Sequence, residues 1–506
     1  MRGPHNIWRL IRTGATFERA GALRVALEAA GAPRSLRIAA RIVGWPIQWF
    51  GVRGDPDQPP ILRALTALGP AYIKFGQLLS TRPDIVGVEL ARELRILQDA
   101  LPAFDTAIAK AEVESELGIS VDEVFESFSE PVAAASLAQV HKAVVRETGQ
   151  VVAVKVLRPG IERAFLKDVD AFYLAAWIIE FVLPASRRLR PRAVIKHFAG
   201  IVDGELDLRM EAAAADEFGA NTAKDEKFQV PSLVWELSSR RILTTEWVEG
   251  IPLGNVEEIL ATGQDPTEFA TRILQTFLRH ALRDGYFHAD MHQGNLKYGP
   301  NGDLIALDFG IMGRIDTYTR KVYAEILMGF LQRDYHRVAE AHFEAGYVPA
   351  DQDVSAFAQA LRAVGEPIFD HDASKVSMAR LFGHLFDVTE RFGMQTRTEL
   401  ILLQRTMVVV EGVTRTFDPN MNMWDVSAPV IERYILDHLG PRAIARDLAA
   451  TAKVLSRFGP RLPALAEAAL MNLNKTPETK SGWSVNLMWV VLGVAVGIGA
   501  TLLFLR

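Results

Sequence analysis

Apolar positions recur along the chain with two different spacings, which divide it into helical and β-rich stretches. Residues 61–101 carry the three-to-four-residue spacing of amphipathic helices, which continues at 112–117 and stops at Gly118. Two runs rich in β-branched residues follow at 137–145 and 150–157, joined by a turn. The pattern therefore predicts a helical region followed by a β-hairpin.

Beyond this hairpin the chain is predicted to be mainly helical. Helical spacing covers residues 159–218, and a second strand pair is predicted at 230–235 and 242–248. After Pro252 helical spacing extends far toward the C-terminus, interrupted by one short β segment at 296–307. Strands grouped in one part of the chain, with helices in the rest, indicate an α+β protein.

The C-terminal part of the chain departs from the amphipathic pattern. After a polar linker at 474–484, residues 485–505 contain no charged side chain. As a helix this segment would be about 31 Å long, which matches the hydrocarbon core of a bilayer. Lys475, Lys480 and Arg506 flank it, so a membrane-spanning helix is predicted in preference to a buried core helix. Within the span, Gly493 and Gly497 form a GxxxG pair that predicts a homodimer contact.

The first 50 residues are strongly basic. Eight arginines stand against Glu18 and Glu28, which gives this segment a charge of +6 and leaves −11 for the rest of a chain whose net charge is −5. Tryptophan and isoleucine side chains interleave with the arginines, as in a basic amphipathic helix. Two interpretations stay open: the segment lies on an anionic membrane surface, or it packs on its own domain with the basic face exposed. A mitochondrial presequence would share this composition.

Composition excludes several classes of protein. The 506 residues are 49% hydrophobic and 23% charged, as in ordinary globular proteins, and the length predicts two to four domains. Cysteine is absent, which excludes disulfides, thiolate catalysis and cysteine-ligated metal clusters. The net charge argues against a nucleic-acid partner.

Residues 287–310 contain the candidate catalytic side chains. They contain an HxD motif at His288 and Asp290, an asparagine at Asn295, and a DFG motif that begins at Asp308. Two short apolar runs flank a Pro-Asn-Gly turn between Asn295 and Asp308, which predicts a hairpin. Because a hairpin brings its ends together, we expect Asn295 and Asp308 to meet, with Asp290 one loop away.

These oxygen-bearing side chains suit phosphoryl transfer. Asn295 and Asp308 are predicted to be the ligands of Mg²⁺, a hard cation that also holds nucleotide phosphates. Asp290 is predicted to be the catalytic carboxylate that orients or deprotonates an attacking hydroxyl or water. This arrangement of D-x4-N followed by DFG is typical of protein-kinase-like folds, with ATP and Mg²⁺ as cofactors.

A lysine in the β-rich stretch fits the same chemistry. Lys155 follows Val151, Val152, Ala153 and Val154, matching the strand signature of a phosphate-binding lysine. The alternative is an edge-strand lysine that extends into water. Its acidic partner is expected on the following helix, where Glu211 or Glu205 could serve.

Alanines replace the glycine-rich loop of ordinary kinases. Before the first predicted strand stand Ala133, Ala134, Ala135 and Ser136. Alanine lacks the positive-φ freedom of glycine and adds a methyl group where amides would approach phosphate, so nucleotide handling is expected to differ. Plain small-residue packing remains an alternative. The predicted ATP-binding set comprises these four residues with Lys155, Glu246 and Val248.

Two further motifs complete a resemblance. One is K-x-G-Q, formed by Lys74, Phe75, Gly76 and Gln77, and the other is E-x-D, formed by Glu205, Leu206 and Asp207. With the alanine-rich loop and the DFG region, the chain resembles the UbiB family of atypical protein-kinase-like proteins over roughly residues 60–420. That family is associated with ubiquinone biosynthesis and was historically labelled 2-polyprenylphenol hydroxylase.

The resemblance implies a bilobal protein-kinase-like fold with an N-terminal helical extension over the active site. Bacterial relatives often have two C-terminal spans, whereas this sequence supports one C-terminal transmembrane helix. Lys74 and Gln77 would face the nucleotide pocket, with Glu205 and Asp207 as polar partners. Lys155 would bind the phosphates and pair with Glu211. The implied segments are a basic segment at 1–57, the extension at 58–130, the N-lobe at 131–250, the C-lobe at 251–420, a helical region at 421–473, the linker at 474–484 and the span at 485–505.

The resemblance also implies a function. It indicates a Mg²⁺-dependent ATPase that supports ubiquinone biosynthesis. The single C-terminal span predicted from the sequence would anchor it at the bacterial inner membrane, with the kinase-like domain cytoplasmic. Membrane lipid, ubiquinone precursors and other quinone-biosynthesis proteins are the expected partners. Two rivals stay open: a phosphotransferase acting on a protein or small molecule, and a non-catalytic nucleotide-binding scaffold. A direct hydroxylase is disfavoured, because the sequence has no flavin fingerprint or iron-ligand cluster.

Overall fold

The computed structural model describes residues 5–438 and Gly440, apart from gaps at 30–33, 81–85, 87, 95–96, 98–102, 135–136, 183–189, 371–383, 386–387, 390 and 395–396. Contacts divide the chain into two units, Met1–Tyr434 and Ile435–Arg506, and every described strand belongs to the first. Within the described residues, no helix is both long and apolar enough to cross a bilayer. The predicted span at 485–505, with its glycine pair, lies outside them.

Three helices open the chain: α1 at His5–Ala20, α2 at Ala22–Ala29 and α3 at Arg34–Ile47. A short 3₁₀ turn at Gln48–Phe50 follows α3. Gly21, with a φ of 76°, supplies the left-handed conformation that separates α1 from α2.

The predicted helical extension contains α4 at Pro60–Leu68, α5 at Pro70–Ser80 and α6 at Val88–Leu94. Pro60 occupies the first position of α4, where its missing N–H leaves no helical hydrogen bond unmade. Buried side chains of these helices join one hydrophobic core with Phe165 and Phe198, which belong to helices further along the chain at Ile161–Val182 and Pro191–Glu205. The extension is therefore packed onto the N-lobe rather than tethered beside it.

Helices α7 at Thr106–Leu117 and α8 at Val121–Val124 precede the first strand. Four antiparallel strands then form a sheet in the order β1-β2-β3-β5. Their bounds are β1 at Phe125–Ala134, β2 at Ala138–Val145, β3 at Val151–Leu157 and β5 at Ile242–Glu246. The predicted hairpin corresponds to β2 and β3.

Two strand predictions were wrong. Strand β1 was missed because its pairing with β2 is irregular, with register shifts around Phe128 and Pro131 that erase the period-two pattern. The strand predicted at 230–235 reduces to one isolated bridge, between Leu233 and Thr245, and a 3₁₀ turn at Trp235–Leu237. A two-residue strand, β4 at Phe228–Gln229, lies just before it.

Three helices connect β3 to β4: α9 at Ile161–Val182, α10 at Pro191–Glu205 and α11 at Leu208–Thr222. Asp207 separates the last two and caps α11, because its carboxylate accepts a hydrogen bond from the backbone N–H of Arg209. The same cap leaves Glu205 as the last residue of α10 and places Glu211 in the first turn of α11.

The C-lobe combines short strands with helices. A second sheet has the order β4-β9-β8-β6, and a third pairs β10 with β7. The strands are β6 at Ile251–Pro252, β7 at Tyr286–His288, β8 at Leu296–Tyr298, β9 at Leu304–Ala306 and β10 at Met312–Arg314. The predicted β segment at 296–307 corresponds to β8 and β9, whereas β7 and β10 were not predicted.

The C-lobe helices are α12 at Val256–Ala261, α13 at Pro266–Arg279, α14 at Thr317–Leu331, α15 at Tyr335–Glu344, α16 at Val354–Asp370, α17 at Thr398–Phe417 and α18 at Met423–His438. Helix α13 lies at the centre, and its Phe269 packs edge-to-face against Phe417 of α17 with ring centroids 5.1 Å apart. The architecture is α+β, as the sequence predicts.

Candidate active site

Lys155 lies on an interior strand. Strand β3 pairs with β2 on one side and β5 on the other, which excludes the edge-strand alternative. Val154 and Val156 on either side of Lys155 are fully buried in the sheet core, so strand alternation directs the lysine to the opposite face. There its Nζ donates to Glu211 at 2.8 Å and to Asp308 Oδ2 at 3.3 Å.

The charges of this cluster stabilise one another. The Lys155 cation lowers the pKa of Asp308 to about 2, so that carboxylate is ionised at neutral pH. Burial of Lys155 opposes its charge, but the carboxylates of Asp308 and Glu211 outweigh burial and raise the pKa of the lysine above its usual value. Lys155 and Asp308 are therefore both charged at neutral pH.

The backbone of Asp308 is strained. Its φ of 55° lies in the left-handed region, which costs a residue with a Cβ about 1–2 kcal/mol. The backbone N–H of Gly310 donates to Asp308 Oδ1 at 3.2 Å and helps to hold this conformation. Such strain is typical of functional sites.

The neighbouring Phe309 ties the DFG segment to α11. It is buried, and its ring centroid lies 5.6 Å from that of His288 and 5.9 Å from that of Phe218. Phe218 belongs to the same helix as Glu211. Helix α11 therefore contacts the site twice, through a charge and through an aromatic ring.

His288 fixes the HxD loop through two hydrogen bonds. Its Nε2–H donates to the Leu307 carbonyl at 2.9 Å, and its Nδ1 accepts from the backbone N–H of Asp290 at 3.1 Å. These two partners define the tautomer, and burial lowers the pKa of His288. The histidine is thus a neutral brace that joins the HxD loop to the residue before Asp308.

The three residues predicted around the hairpin do converge. Strand β8 pairs with β9, and the N–H of Leu307 donates to the Asn295 carbonyl at 2.8 Å, which places Asn295 beside Asp308 in the hairpin. Asn295 Nδ2 in turn donates to the Asp290 carbonyl at 3.0 Å and to Asp290 Oδ2 at 3.3 Å. Asp290, Asn295 and Asp308 therefore form one site.

The site fits Mg²⁺ by its donor chemistry. Because the amide nitrogen of Asn295 is engaged by Asp290, the amide oxygen is the atom of that side chain left for a cation. Asp308 adds an ionised carboxylate. Two hard oxygen donors, with further ligands from phosphates and water, match the usual coordination of nucleotide-bound Mg²⁺.

A second lysine from the extension lies beside this cluster. Lys74 of α5 forms an ion pair with Glu205 at 2.8 Å. Burial raises the pKa of Glu205, Lys74 opposes that rise, and the charges of Asp308 and Lys155 also act on the carboxyl group. The Lys74–Glu205 pair is thus close enough to interact electrostatically with Lys155 and Asp308.

The rest of the K-x-G-Q motif holds the chain in place. A Cβ at Gly76 would lie 2.4 Å from the Leu97 side chain, so the glycine permits close packing. Gln77 Nε2 donates to the Leu97 carbonyl at 2.9 Å. The structure gives Gln77 a main-chain partner, where the resemblance implied the nucleotide pocket.

The two acidic residues of the E-x-D motif have different partners. Glu205 pairs with Lys74, whereas Asp207 caps α11 and binds the Arg209 guanidinium at 2.7 Å. The side-chain hydrogen bonds of Arg209 are the main reason that the pKa of Asp207 is lowered. Asp207 therefore acts on Glu211 indirectly, by fixing where α11 begins.

Most of the predicted ATP-binding residues that the structure describes lie on strands of one sheet, with Lys155 on β3 between β2 and β5. Ala133 and Ala134 end β1, so they follow the first strand rather than precede it, and Ala135 and Ser136 lie outside the described residues. Glu246 ends β5 and accepts from Ser232 Oγ at 2.8 Å. The Val248 carbonyl accepts from Lys297 Nζ at 3.2 Å.

Sequence reasoning missed two neighbours of the site. The buried amide of Gln139 accepts from Phe104 N–H at 2.8 Å and donates to its carbonyl at 3.1 Å, which ties the start of β2 to the segment before α7. Trp247 lies between two cations, with Lys142 Nζ 4.6 Å and Lys297 Nζ 5.4 Å from its ring centroids. Neither has a sequence signature, because both depend on contacts between distant segments.

Comparison with known proteins assigns the family. The ABC1 atypical kinase-like domain matches residues 96–342, and the UbiB helical domain matches residues 361–422. The chain belongs to the UbiB family. Its domain is accordingly an atypical kinase-like α+β domain with many helices.

A solved structure is similar to this UbiB-family chain. It is that of Rv3197 from Mycobacterium tuberculosis, described as a complex with erythromycin. The two sequences are 25% identical, the match covers 70% of this chain and 90% of the other, and the TM-score is 0.51. Domain matches and this similarity together cover the region that holds Lys155, Asp290 and Asp308.

Proposed function

We propose that this UbiB-family chain is an ATP-dependent phosphoryl-transfer enzyme, a Mg²⁺-dependent ATPase that supports ubiquinone biosynthesis. The observation that carries the proposal is the position of Lys155, which bonds both Glu211 and Asp308 next to the Asp290–Asn295 loop. Cation, metal-binding oxygens and catalytic carboxylate are the parts that phosphoryl transfer requires.

Each side chain has a defined task in this proposal. Asp308 and Asn295 would hold Mg²⁺, which when bound neutralises phosphate charge. Lys155 would turn from Asp308 to the phosphates while keeping Glu211. Asp290, whose side chain is partly exposed and hydrogen-bonded by Asn295, would orient the attacking hydroxyl or water.

Hydrolysis is favoured over protein phosphorylation by the packing of the extension. Helix α5 shares a core with the N-lobe helices, and its Lys74 is paired with Glu205 beside the Lys155 cluster. A large substrate would have to displace that packing, whereas water would not. Ubiquinone precursors and membrane lipid, the partners implied by the resemblance, are proposed as effectors of the hydrolysis.

The test is Mg²⁺-dependent ATP hydrolysis by the purified full chain, with and without vesicles and prenylated phenols. Asp308→Asn keeps the size of the side chain but removes its charge, so turnover should fall about 100-fold or more. Asp351→Asn, in an exposed turn before α16, is the matched control and should keep wild-type turnover. Undiminished hydrolysis by Asp308→Asn would overturn the proposed metal site.

A second candidate is phosphoryl transfer to a hydroxylated small molecule. The observation in its favour is the erythromycin complex of the similar Mycobacterium tuberculosis protein. Incubation of this chain with ATP, Mg²⁺ and erythromycin, followed by mass spectrometry of the macrolide, tests it. A phosphorylated product that disappears with Asp290→Asn would favour this candidate, and an unmodified macrolide would exclude erythromycin as a substrate.

A further inference from the structure

Large apolar side chains at the N-terminal end of the protein face solvent. The exposed fractions are 54% for Trp8, 68% for Trp45 and 72% for Trp49. We call this set the N-terminal apolar surface; its members are Ile7, Trp8, Ile11, Ile38, Ile42, Trp45, Trp49 and Phe50. An exposed apolar set of this size marks an interaction site in a soluble domain.

The N-terminal apolar surface is continuous. In α3 and the 3₁₀ turn, Ile38, Ile42, Trp45 and Trp49 recur at the three-to-four-residue spacing that places them on one helical face. The ring of Trp8 in α1 meets Phe50 edge-to-face, with centroids 5.9 Å apart. That contact joins the exposed side of α1 to the 3₁₀ turn that follows α3.

The opposite side of α1 is fixed to the rest of the protein. Ala15 and Thr16 are fully buried, and Thr16 Oγ1 accepts from the Val52 backbone N–H at 3.0 Å. Arg9 pairs with Asp168 of α9, and Thr13 Oγ1 lies 2.5 Å from the hydroxyl oxygen of Tyr72 in α5. The outward position of the apolar side chains is therefore set by these internal bonds.

The charges around the N-terminal apolar surface identify its occupant. Arg12, Arg24, Arg34 and Arg53 are exposed in the same part of the chain, and residues 1–50 carry eight arginines against two glutamates. Tryptophan favours the bilayer interface, and arginines nearby are attracted to anionic headgroups. Exposed tryptophans together with charges of a single sign fit an anionic membrane interface better than a protein partner.

We propose that the N-terminal apolar surface docks onto an anionic phospholipid bilayer, with α1 and α3 lying in the interface plane. The predicted span at 485–505 would bring the chain to the same membrane. The inference deepens the membrane partner of the proposed function and names the residues that meet lipid. Its test reads the position of a side chain rather than turnover, so either proposal can fail alone.

The absence of cysteine makes the test direct, because each introduced cysteine is unique. Trp45→Cys, labelled with an environment-sensitive fluorophore, is prepared in the full chain and bound to vesicles of phosphatidylcholine and phosphatidylglycerol. The matched control is Trp235→Cys, at an N-lobe tryptophan that is 46% exposed. We expect emission at position 45 to shift to the blue and to be quenched several-fold by lipid-borne nitroxides, with no quenching at position 235.

A second variant tests the role of charge. Arg24→Glu with Arg34→Glu should reduce quenching at position 45 at least twofold in anionic vesicles, whereas reversal of an equal number of exposed C-lobe arginines should leave it unchanged. Equal quenching at positions 45 and 235 in the vesicle-bound chain would overturn the proposal, as would a chain that does not bind vesicles. Shielding of position 45 without vesicles would identify another occupant: a second copy if it depends on protein concentration, and another segment of this chain if it does not.

Discussion

Two lysine–glutamate pairs lie near each other at the candidate site, one within the N-lobe and one joining the extension to it. Lys155–Glu211 belongs to the kinase-like N-lobe, and Lys74–Glu205 joins the N-terminal extension to it. Both are 2.8 Å long, and both lysine side chains are 20% exposed. By local geometry alone they are almost indistinguishable.

The secondary structure around each glutamate separates the pairs. Glu211 lies in the first turn of α11, where the helix dipole stabilises a carboxylate, whereas Glu205 is the last residue of α10, where the dipole opposes it. Lys155 also has Asp308 as a partner, at 3.3 Å. Removal of Lys155 would therefore leave two carboxylates without their cation, whereas removal of Lys74 would leave one.

The largest expected effect is that of Lys155→Met. The variant removes the cation that would meet the phosphates and leaves Glu211 buried without its partner, so ATP turnover should fall about 100-fold or more and the free energy of unfolding by about 3 kcal/mol. ATP hydrolysis and urea denaturation measure the two losses. Lys167→Met, at an exposed position of α9, should show neither, and wild-type turnover in Lys155→Met would contradict the assignment.

Lys74→Ala should break the other pair with a different outcome. Glu205 loses the cation that opposes its burial, so stability should fall by about 2 kcal/mol, but the Lys155 cluster stays intact and nucleotide binding should change less than about threefold. The resemblance implies that the extension obstructs a protein substrate and that Lys74 contributes to this, so autophosphorylation should rise and be visible by mass spectrometry. Lys74→Arg should restore stability. A loss of ATP turnover in Lys74→Ala as large as that in Lys155→Met would show that the two pairs do not have different roles.

Mild acid should lower the free energy of unfolding while Lys155 and Asp308 both stay charged. The pKa of Asp308 is about 2, so its charge persists at pH 5. Burial lowers the pKa of His342 to about 4; the unfolded chain therefore binds more protons between pH 6.5 and 4, and stability falls as the pH falls. From pH 7 to pH 5 this histidine alone should cost about 2 kcal/mol.

The check is urea denaturation of the wild type and His342→Asn at both pH values. Asparagine can still donate to the Val338 carbonyl, which His342 Nδ1–H contacts at 2.7 Å, but it does not titrate. The variant should lose about 2 kcal/mol less than the wild type between pH 7 and pH 5. Identical losses would show that another group controls acid sensitivity.

The smallest effect concerns the extension alone. Tyr72→Phe removes the hydroxyl that meets Thr13 Oγ1 at 2.5 Å and should cost about 1 kcal/mol. Hydrogen exchange should become faster in α5 and remain unchanged in β3. Tyr318→Phe, at a position that is 53% exposed, is the control. Faster exchange in both elements would mean that the extension and the N-lobe open as one unit.

Sequence patterns predicted those parts of the site that are formed by residues close together in the chain. The hairpin between Asn295 and Asp308 and the strand around Lys155 follow from turn residues and β-branched runs. Strand β1 escaped prediction because its bulges interrupt alternation, and the partners of Gln77 and Asp207 depend on the packing of α5 and α11. The resemblance indicated that Lys74 and the E-x-D motif meet, but only the folded arrangement distinguishes Glu205 from Asp207 as the partner.

Helix α11 makes the site respond as one unit. Glu211 and Phe218 are seven residues apart, about two helical turns, and so share a face. One contacts Lys155 and the other the ring of Phe309. Any axial shift of α11 would break the ion pair and the ring contact together, so partially assembled sites should be scarcely populated. Nucleotide binding should then follow a single two-state transition, with cooperativity inherent in one helix.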